Sequence, residues 1–468
     1  MINFKYINQT YLIVCLVIFN FCSAPELDVI PYPAVPGLAE SDKFKVIVNG
    51  HEIWTEKFIT AMEISELPEW FTGRPYTSVQ QELHFTSFSC SGPVSVSIEV
   101  PENITEARVR PTDREIAVNI TGNKLSFSLS GPDKLYIEID DLPPLCFFAN
   151  PEEKEIPSPD DPDIIYFGPG EHRPGYIHMT DNQTLYIAPG AIVYGGIRTE
   201  GANDITVMGR GILDGGFEHQ RMVRVDNSEN VVFDGIMIRN GQGWINTVTN
   251  SKNITYNDIR IASFGPSGDG INPLGSQNVK ISNSFFRCTD DCIAIKSPEP
   301  DQIVRDILIE NNTMVGFAFS DGITIGFETR GPEISNVTAR NNDILLSRGG
   351  SRVDGHSGFS IVCDGPSVIS NILFENIRVE QADEKLFELI ITEGKRYGDD
   401  LPGHIKNIIL RDIHWFHEGP VSLEGFSSKN KIEDVVFENC YVANQPLEKI
   451  AERIIQKGPF VEKVTIRN

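Results

Sequence analysis

The sequence has no excess of positive charge. Its 40 lysines and arginines face 65 aspartates and glutamates, a formal net charge of −25. That balance excludes the partners that need basic patches, nucleic acid and anionic membrane surfaces. Helical periodicity is also scarce. Only the run from Pro446 to Gln456 carries it, with Leu447, Ile450, Ala451, Ile454 and Ile455 on one face. That helix is expected to cap an open end. Long apolar runs are confined to the start of the chain. Lys5, the stretch from Tyr11 to Phe21 and the small residues up to Ala24 read as a signal peptide over residues 1–24. The run is too short to span a bilayer comfortably, and no later segment is apolar enough. Export is therefore expected, to the medium, the periplasm or the cell surface. Cys22 offers lipid attachment as an alternative, although Asn20 and Phe21 fit that poorly.

Cysteine is sparse. Six remain beyond residue 24: Cys90, Cys146, Cys288, Cys292, Cys363 and Cys440, without metal-knuckle or disulfide-scaffold spacing. Cys288 and Cys292 would lie about 13 Å apart along a strand, too far to bridge without a turn. They read as small apolar fillers, whereas Cys90 and Cys146 could pair within one domain.

What is present is short β-runs. With 40% hydrophobic and 22% charged residues the chain is globular in composition. Residues 25–150 hold alternating segments such as Phe44–Trp54, Val94–Val100 and Lys124–Ser130, with Asn49-Gly50 as a hairpin turn. They predict a small β-sandwich-like domain. The Pro- and acid-rich residues 151–163 read as a linker. Residues 164–468 follow a different rule. An Asn or Asp, an apolar residue, a free position and usually another apolar residue recur from Asp204, Asn230, Asn253, Asn278, Asp306, Asn336, Asn371, Asn407 and Asp434. Five residues after the last seven of these stands another Asn or Asp: Asp258, Asn283, Asn311, Asn341, Asn376, Asp412 and Asn439. Stacked at a corner, such side chains can hydrogen-bond the backbone of a tight bend. Steps of 23 to 36 residues without intervening helices predict a right-handed parallel β-helix. The fold class is all-β, a β-helix preceded by the sandwich.

The chemistry is concentrated in GDGINPLGSQNVKISNSFFRCTDDCIAIK, Gly268 to Lys296. Asp269 and Asp290 are 21 residues apart, about one rung, so Asp269 is expected beside the Asp290–Asp291 pair. Asp321 in SDGITIG lies about one further rung on. Carboxylates brought this close cannot all ionise at neutral pH. One keeps its proton as an acid and another can pull a proton from water, the pairing that glycoside hydrolysis uses. The spacing alone leaves retention and inversion open.

The run from Ser267 to Ser297 resembles the active-site core of the polygalacturonases, family 28 of the glycoside hydrolases. The leading β-domain is similar in layout to the dextranases of family 49. The resemblance implies a secreted enzyme that cleaves a polysaccharide with inversion. Asp290 would be the general acid, and Asp269 and Asp291 would hold and deprotonate the attacking water. Three family motifs differ here. Ser267-Gly268-Asp269 stands for Asn-Thr-Asp, Ser320-Asp321-Gly322 for Gly-His-Gly, and Phe359-Ser360-Ile361 for the Arg-Ile-Lys that grips a galacturonate carboxylate.

Asp321, Lys296, Trp244, Glu328 and Arg330 are the candidates for substrate contact, Trp244 by stacking on a sugar ring. Arg352, Asp354 and His356 sit on a Gly-rich loop that could fold over the site. The reading calls for no cofactor and no metal, a polysaccharide or oligosaccharide as partner, and a monomer. Two other readings stay open. One is a polysaccharide lyase, its aspartates binding Ca²⁺ and Lys296 or Arg330 acting as base. The other is a non-catalytic glycan-binding β-helix.

Overall fold

The repeat's Asn and Asp residues are corners. The computed structural model describes residues 29–59, 82–216, 218, 221–317, 320–348, 357–394, 397–399 and 401–468. Within it, every repeat start from Asp204 to Asp434, and every second-corner residue from Asp258 to Asn439, has φ between 50° and 60°. This left-handed conformation disfavours most L-residues by about 1–2 kcal/mol, and Asn and Asp adopt it most readily. The sequence period is therefore a record of turn geometry.

The corner side chains do not bond the turn backbone as expected. They bond one another from rung to rung. Nδ2 of Asn230 donates to Asp204 at 2.9 Å, Asn253 to Asn230 at 3.0 Å, and Asn278 to Asn253 at 2.6 Å. Asn336, Asn371 and Asn407 continue the pattern. Replacing Asn253 by Ala should cost about 1–2 kcal/mol through the left-handed backbone. Asn253→Gly should cost less. Urea unfolding of both variants checks this, and equal losses would contradict it.

Between corners the chain runs as a right-handed parallel β-helix of 31 strands, from Ile164–Phe167 to Val461–Arg467. One face stacks Asn203–Gly209, Glu229–Asp234, Lys252–Asn257 and Gln277–Ser282. A second stacks Ile212–Asp214, Met237–Arg239, Arg260–Ala262 and Phe285–Cys288. A third stacks Asn246–Thr249, Ile271–Leu274, Ile293–Ser297, Ile323–Thr329 and Ser357–Cys363. In-register residues such as Val231, Ile254, Val279 and Ile307 fill the interior and are almost wholly buried. The helix Leu447–Ile454 turns Leu447 and Ile454 inward. It does not finish the stack as expected. Ile455–Lys457 and Val461–Arg467 follow it and pair with Val421–Leu423 and Ile432–Glu438.

The described residues between 29 and 150 form two facing sheets. One runs Ala39–Glu40, Thr55–Ile59, Glu82–Cys90, Leu145–Asn150, Asp133–Ile139, Ala107–Arg110. The other runs His51–Ile53, Lys45–Val48, Val94–Glu99, Lys124–Leu129, Asn119–Thr121. Asn49 and Gly50 both take positive φ in the hairpin, the geometry that matches strand twist. The pairing of Cys90 with Cys146 does not form: all six described cysteines are free and buried.

The sandwich docks on the second face of the helix. Val35, Phe58, Leu83, Phe85 and Phe148 pack with Ile212, Met237, Ala262, Phe285 and Val315 in one buried cluster. Charge pairs cross the seam. Arg239, itself buried, bonds Glu56 of the sandwich at 2.8 Å and Asp214 of its own coil at 2.7 Å. Arg114 reaches Asp343 at 2.9 Å, and Arg110 pairs with Glu380. The second face ends in the turns that carry the aspartates, so the docked sandwich braces the rungs on which they sit. Among the described residues no helix is long and apolar enough to cross a membrane. Residues 1–24 and the Arg352–His356 loop lie outside the described residues.

Candidate active site

The turns that enter the third face build the site. Ile271, Ile293 and Ile323 stack in register. Two residues ahead of each stands an aspartate: Asp269, Asp291 and Asp321. The backbone ladder follows, with Gly270 N donating to Asp291 O at 2.9 Å and Cys292 N to Asp321 O at 3.0 Å. The residue stacked on Asp269 is thus Asp291, and Asp290 is the neighbour that precedes it. The glycine in Asp269-Gly270 is required by this approach, because a Cβ there would lie 2.3 Å from Cys292 O.

Three of the four carboxylates are inside the protein. Asp269, Asp291 and Asp321 are 2%, 6% and 0% exposed. Asp290 is half-buried and remains open to solvent. Asp269 accepts a hydrogen bond from Asn272 Nδ2 at 2.7 Å and lies 3.9 Å from Lys296 Nζ. Asp291 accepts the Asp321 backbone N–H at 3.0 Å. Asp290 caps its own turn by accepting the Asp291 N–H at 3.1 Å. Asp321 is saturated from the next rung, by Ser357 N at 2.8 Å, by Ser357 Oγ at 3.3 Å and by Ser360 Oγ.

Burial and mutual repulsion set the protonation. Burial pushes the Asp269 carboxyl well up, and Asp290 and Asp291 add to this. Burial and the Asp290 charge raise Asp291 to about 7. Burial and Asp291 raise Asp321. Burial opposes the Lys296 charge, but Glu328, Asp269 and Asp291 outweigh it and hold the ammonium above its ordinary range. A set coupled this closely shares its protons.

The raised Asp291 has a consequence for stability. An unfolded aspartate loses its proton near pH 4, whereas folded Asp291 keeps it to about 7. Its contribution is fully present below about pH 4 and is lost as the pH rises through about 7. Thermal melts of Asp291→Asn against the wild type should show the variant gaining relative stability from pH 4 to pH 8. A difference independent of pH would contradict the assignment.

Other expected residues join the cluster unevenly. Lys296 is 4% exposed, 2.7 Å from Glu328 Oε2, with its ammonium 4.8 Å above the Trp244 ring. Arg221 lies over the same ring at 4.7 Å. Trp244, Lys296 and Glu328 are therefore brought to Asp269. Arg330 instead donates to the carbonyls of Gly398 and Pro298. Asp321, expected to touch substrate, is enclosed, and its oxygens are taken by Ser357 and Ser360.

Asn272, Ser357, Ser360 and Asp364 were not foreseen. Asn272 follows Asp269 by three residues in a strand, a polar residue breaking an apolar run and the one signal available. Ser360 stands in the Phe359-Ser360-Ile361 run set above against Arg-Ile-Lys, but the bonds of both serines to Asp321 depend on a register between rungs that the sequence does not show.

A cavity of about 50 Å³ between sandwich and helix, lined by Tyr32, Trp54, Phe148, Arg210 and Arg260, includes none of the aspartates. Asp42, Glu82 and His84 converge in the sandwich at metal-ligand spacing. Lys57 already sits 3.2 and 3.6 Å from the two carboxylates and offsets part of their charge.

The model of the glycosyl hydrolases family 28 matches residues 193–415, the rungs just described. The chain carries a polygalacturonase-like β-helix. An endo-polygalacturonase of Pectobacterium carotovorum subsp. carotovorum is 25% identical over 239 residues, 51% of this chain and 56% of that protein. The chain thus spans about half the length of the curated relatives it matches. Among solved structures, Dex49A from Penicillium minioluteum aligns with a TM-score of 0.53 at 15% identity, over 89% of this chain and 91% of that one. That span is longer than the β-helix alone. An exopolygalacturonase from Thermotoga maritima aligns with a TM-score of 0.51 at 15% identity, over 65% and 83%.

Proposed function

We propose that this protein is an exported glycoside hydrolase that cleaves a polysaccharide by single displacement with inversion. The observation that carries the reading is the stack of Asp269 and Asp291 on adjacent rungs, with half-buried Asp290 close enough for its charge to act on both.

Asp290 is the general acid. In the unliganded protein burial puts the excess protons on its neighbours. A bound sugar ring would take Asp290 out of water, and desolvation raises its pKa as it has raised theirs. Lys296 at 3.9 Å favours ionised Asp269, and the Asp321 N–H favours ionised Asp291. Substrate binding thus moves the shared proton toward the leaving oxygen and leaves two carboxylates to hold and deprotonate water. Asp321 positions Asp291 from beneath, and Lys296, Trp244 and Glu328 line the sugar side. Arg330 braces the loop that carries Glu328.

Incubation with pectins, α-glucans and galactans should release new reducing ends without an unsaturated, ultraviolet-absorbing product. A chelator should leave the rate unchanged. An unsaturated product lost on chelation would replace hydrolysis by lyase chemistry.

A further inference from the structure

The third face holds an irregularity next to Asp269 that hydrolysis alone does not require. Strands Ile293–Ser297 and Ile323–Thr329 pair Ile295 with Ile325, then Ser297 with Thr329. Three residues, Gly326, Phe327 and Glu328, therefore stand opposite the single Lys296. Such bulges re-aim a side chain and cluster beside active sites. Here the bulge lifts Glu328 into a left-handed conformation, φ 53°, and lays its carboxylate on the Lys296 ammonium at 2.7 Å.

The bulge is anchored. Asp364, 2% exposed, accepts the Glu328 N–H at 3.2 Å and the Thr329 N–H and hydroxyl at 3.0 Å. Gly326 packs against the next rung so closely that a Cβ would fall 2.0 Å from Val362 O. Lys296, over the Trp244 ring that Arg221 also covers, is the cation 3.9 Å from Asp269, the place where a sugar acid would look for a counter-charge. A carboxylate ligand gains most from an ionised donor that is not already paired. Glu328 occupies that donor and adds a negative charge of its own, which accepts hydrogen bonds from hydroxyls and repels a uronate.

We propose that Glu328 is a specificity-determining residue that reserves the subsite beside Asp269 for an uncharged sugar ring by neutralising Lys296. The inference rests on the hydrolase reading above.

Two sets of polymers test it on the full chain: polygalacturonate and alginate against carboxyl-reduced polygalacturonate, galactan and dextran. The wild type should show a higher kcat/KM on an uncharged polymer than on either uronate by about tenfold or more, the scale of one hydrogen bond to a charged group. Glu328→Gln keeps the shape and removes the charge, and should move the uronate-to-neutral ratio toward uronate by about tenfold. Adding Lys296→Met to that variant should cancel the shift, the signature of a pairwise effect.

A wild type that prefers a uronate overturns the proposal, as does a folded Glu328→Gln with an unchanged ratio. If Glu328→Gln does not fold, the wild-type ratio alone decides. A wild type that cleaves none of the polymers sinks the hydrolase reading itself.

Discussion

Asp290→Asn should lower kcat on the cleaved polysaccharide by about 10²–10⁴-fold, the usual contribution of a positioned general acid. The amide has the same shape and cannot deliver a proton. Its effect on stability should be small, because Asp290 is half-buried and an amide oxygen can still accept the Asp291 N–H. Substrate affinity should survive as well. The pattern to look for is a collapsed kcat with nearly unchanged KM and melting temperature, read from steady-state kinetics and a thermal melt. A variant with kcat within about tenfold of wild type would remove Asp290 from the acid role. Retained glycan binding without turnover would also exclude a purely glycan-binding role for the chain.

Arg239→Ala should destabilise the protein by about 3–5 kcal/mol, the cost of breaking a buried ion pair from one side. Arg239 is 1% exposed and serves two carboxylates on different parts of the chain, Glu56 in the sandwich and Asp214 in the helix. Its guanidinium also lies 4.6 Å over the Phe58 ring. Truncation leaves two buried acids without their counter-charge. Urea unfolding measures the loss, and a decrease below about 1 kcal/mol would show that the acids find other partners. Glu56→Gln with Asp214→Asn in the Arg239→Ala background should recover part of the stability. The penalty then lies in the orphaned charges more than in the lost contact.

Much of the architecture was legible because each turn demands a particular backbone. A corner held at φ near 55° accepts few residue types, so Asn and Asp recur and reveal the β-helix directly. The same logic found the aspartate turns. It placed Asp269 beside the Asp290–Asp291 pair without resolving which member it stacks on. Register is fixed by hydrogen bonds between rungs, which a loop of any length satisfies. The misreading of Asp321 has the same origin: one period identifies its rung, but the burial comes from Ser357 and Ser360 on the next. The Glu328 bulge was invisible because an insertion of two residues leaves a strand pattern looking ordinary. Glu328 was identified as a possible contact, and its pairing with Lys296 needed the fold. The ladder of side chains along the corners follows from stacking identical turns at about 4.8 Å, a distance that suits amide-to-amide hydrogen bonds.

The division of labour between Asp290 and its two neighbours makes a stereochemical demand. If Asp269 and Asp291 hold a water on the face of the ring opposite the Asp290 proton, the first product must carry the inverted anomeric configuration. ¹H NMR of the reaction in its first minutes, before mutarotation mixes the anomers, reads that configuration on the polysaccharide found to be cleaved. Inversion at the newly formed reducing end is the result this account predicts. A first product of retained configuration would mean that one of these aspartates attacks the sugar itself, and would contradict it.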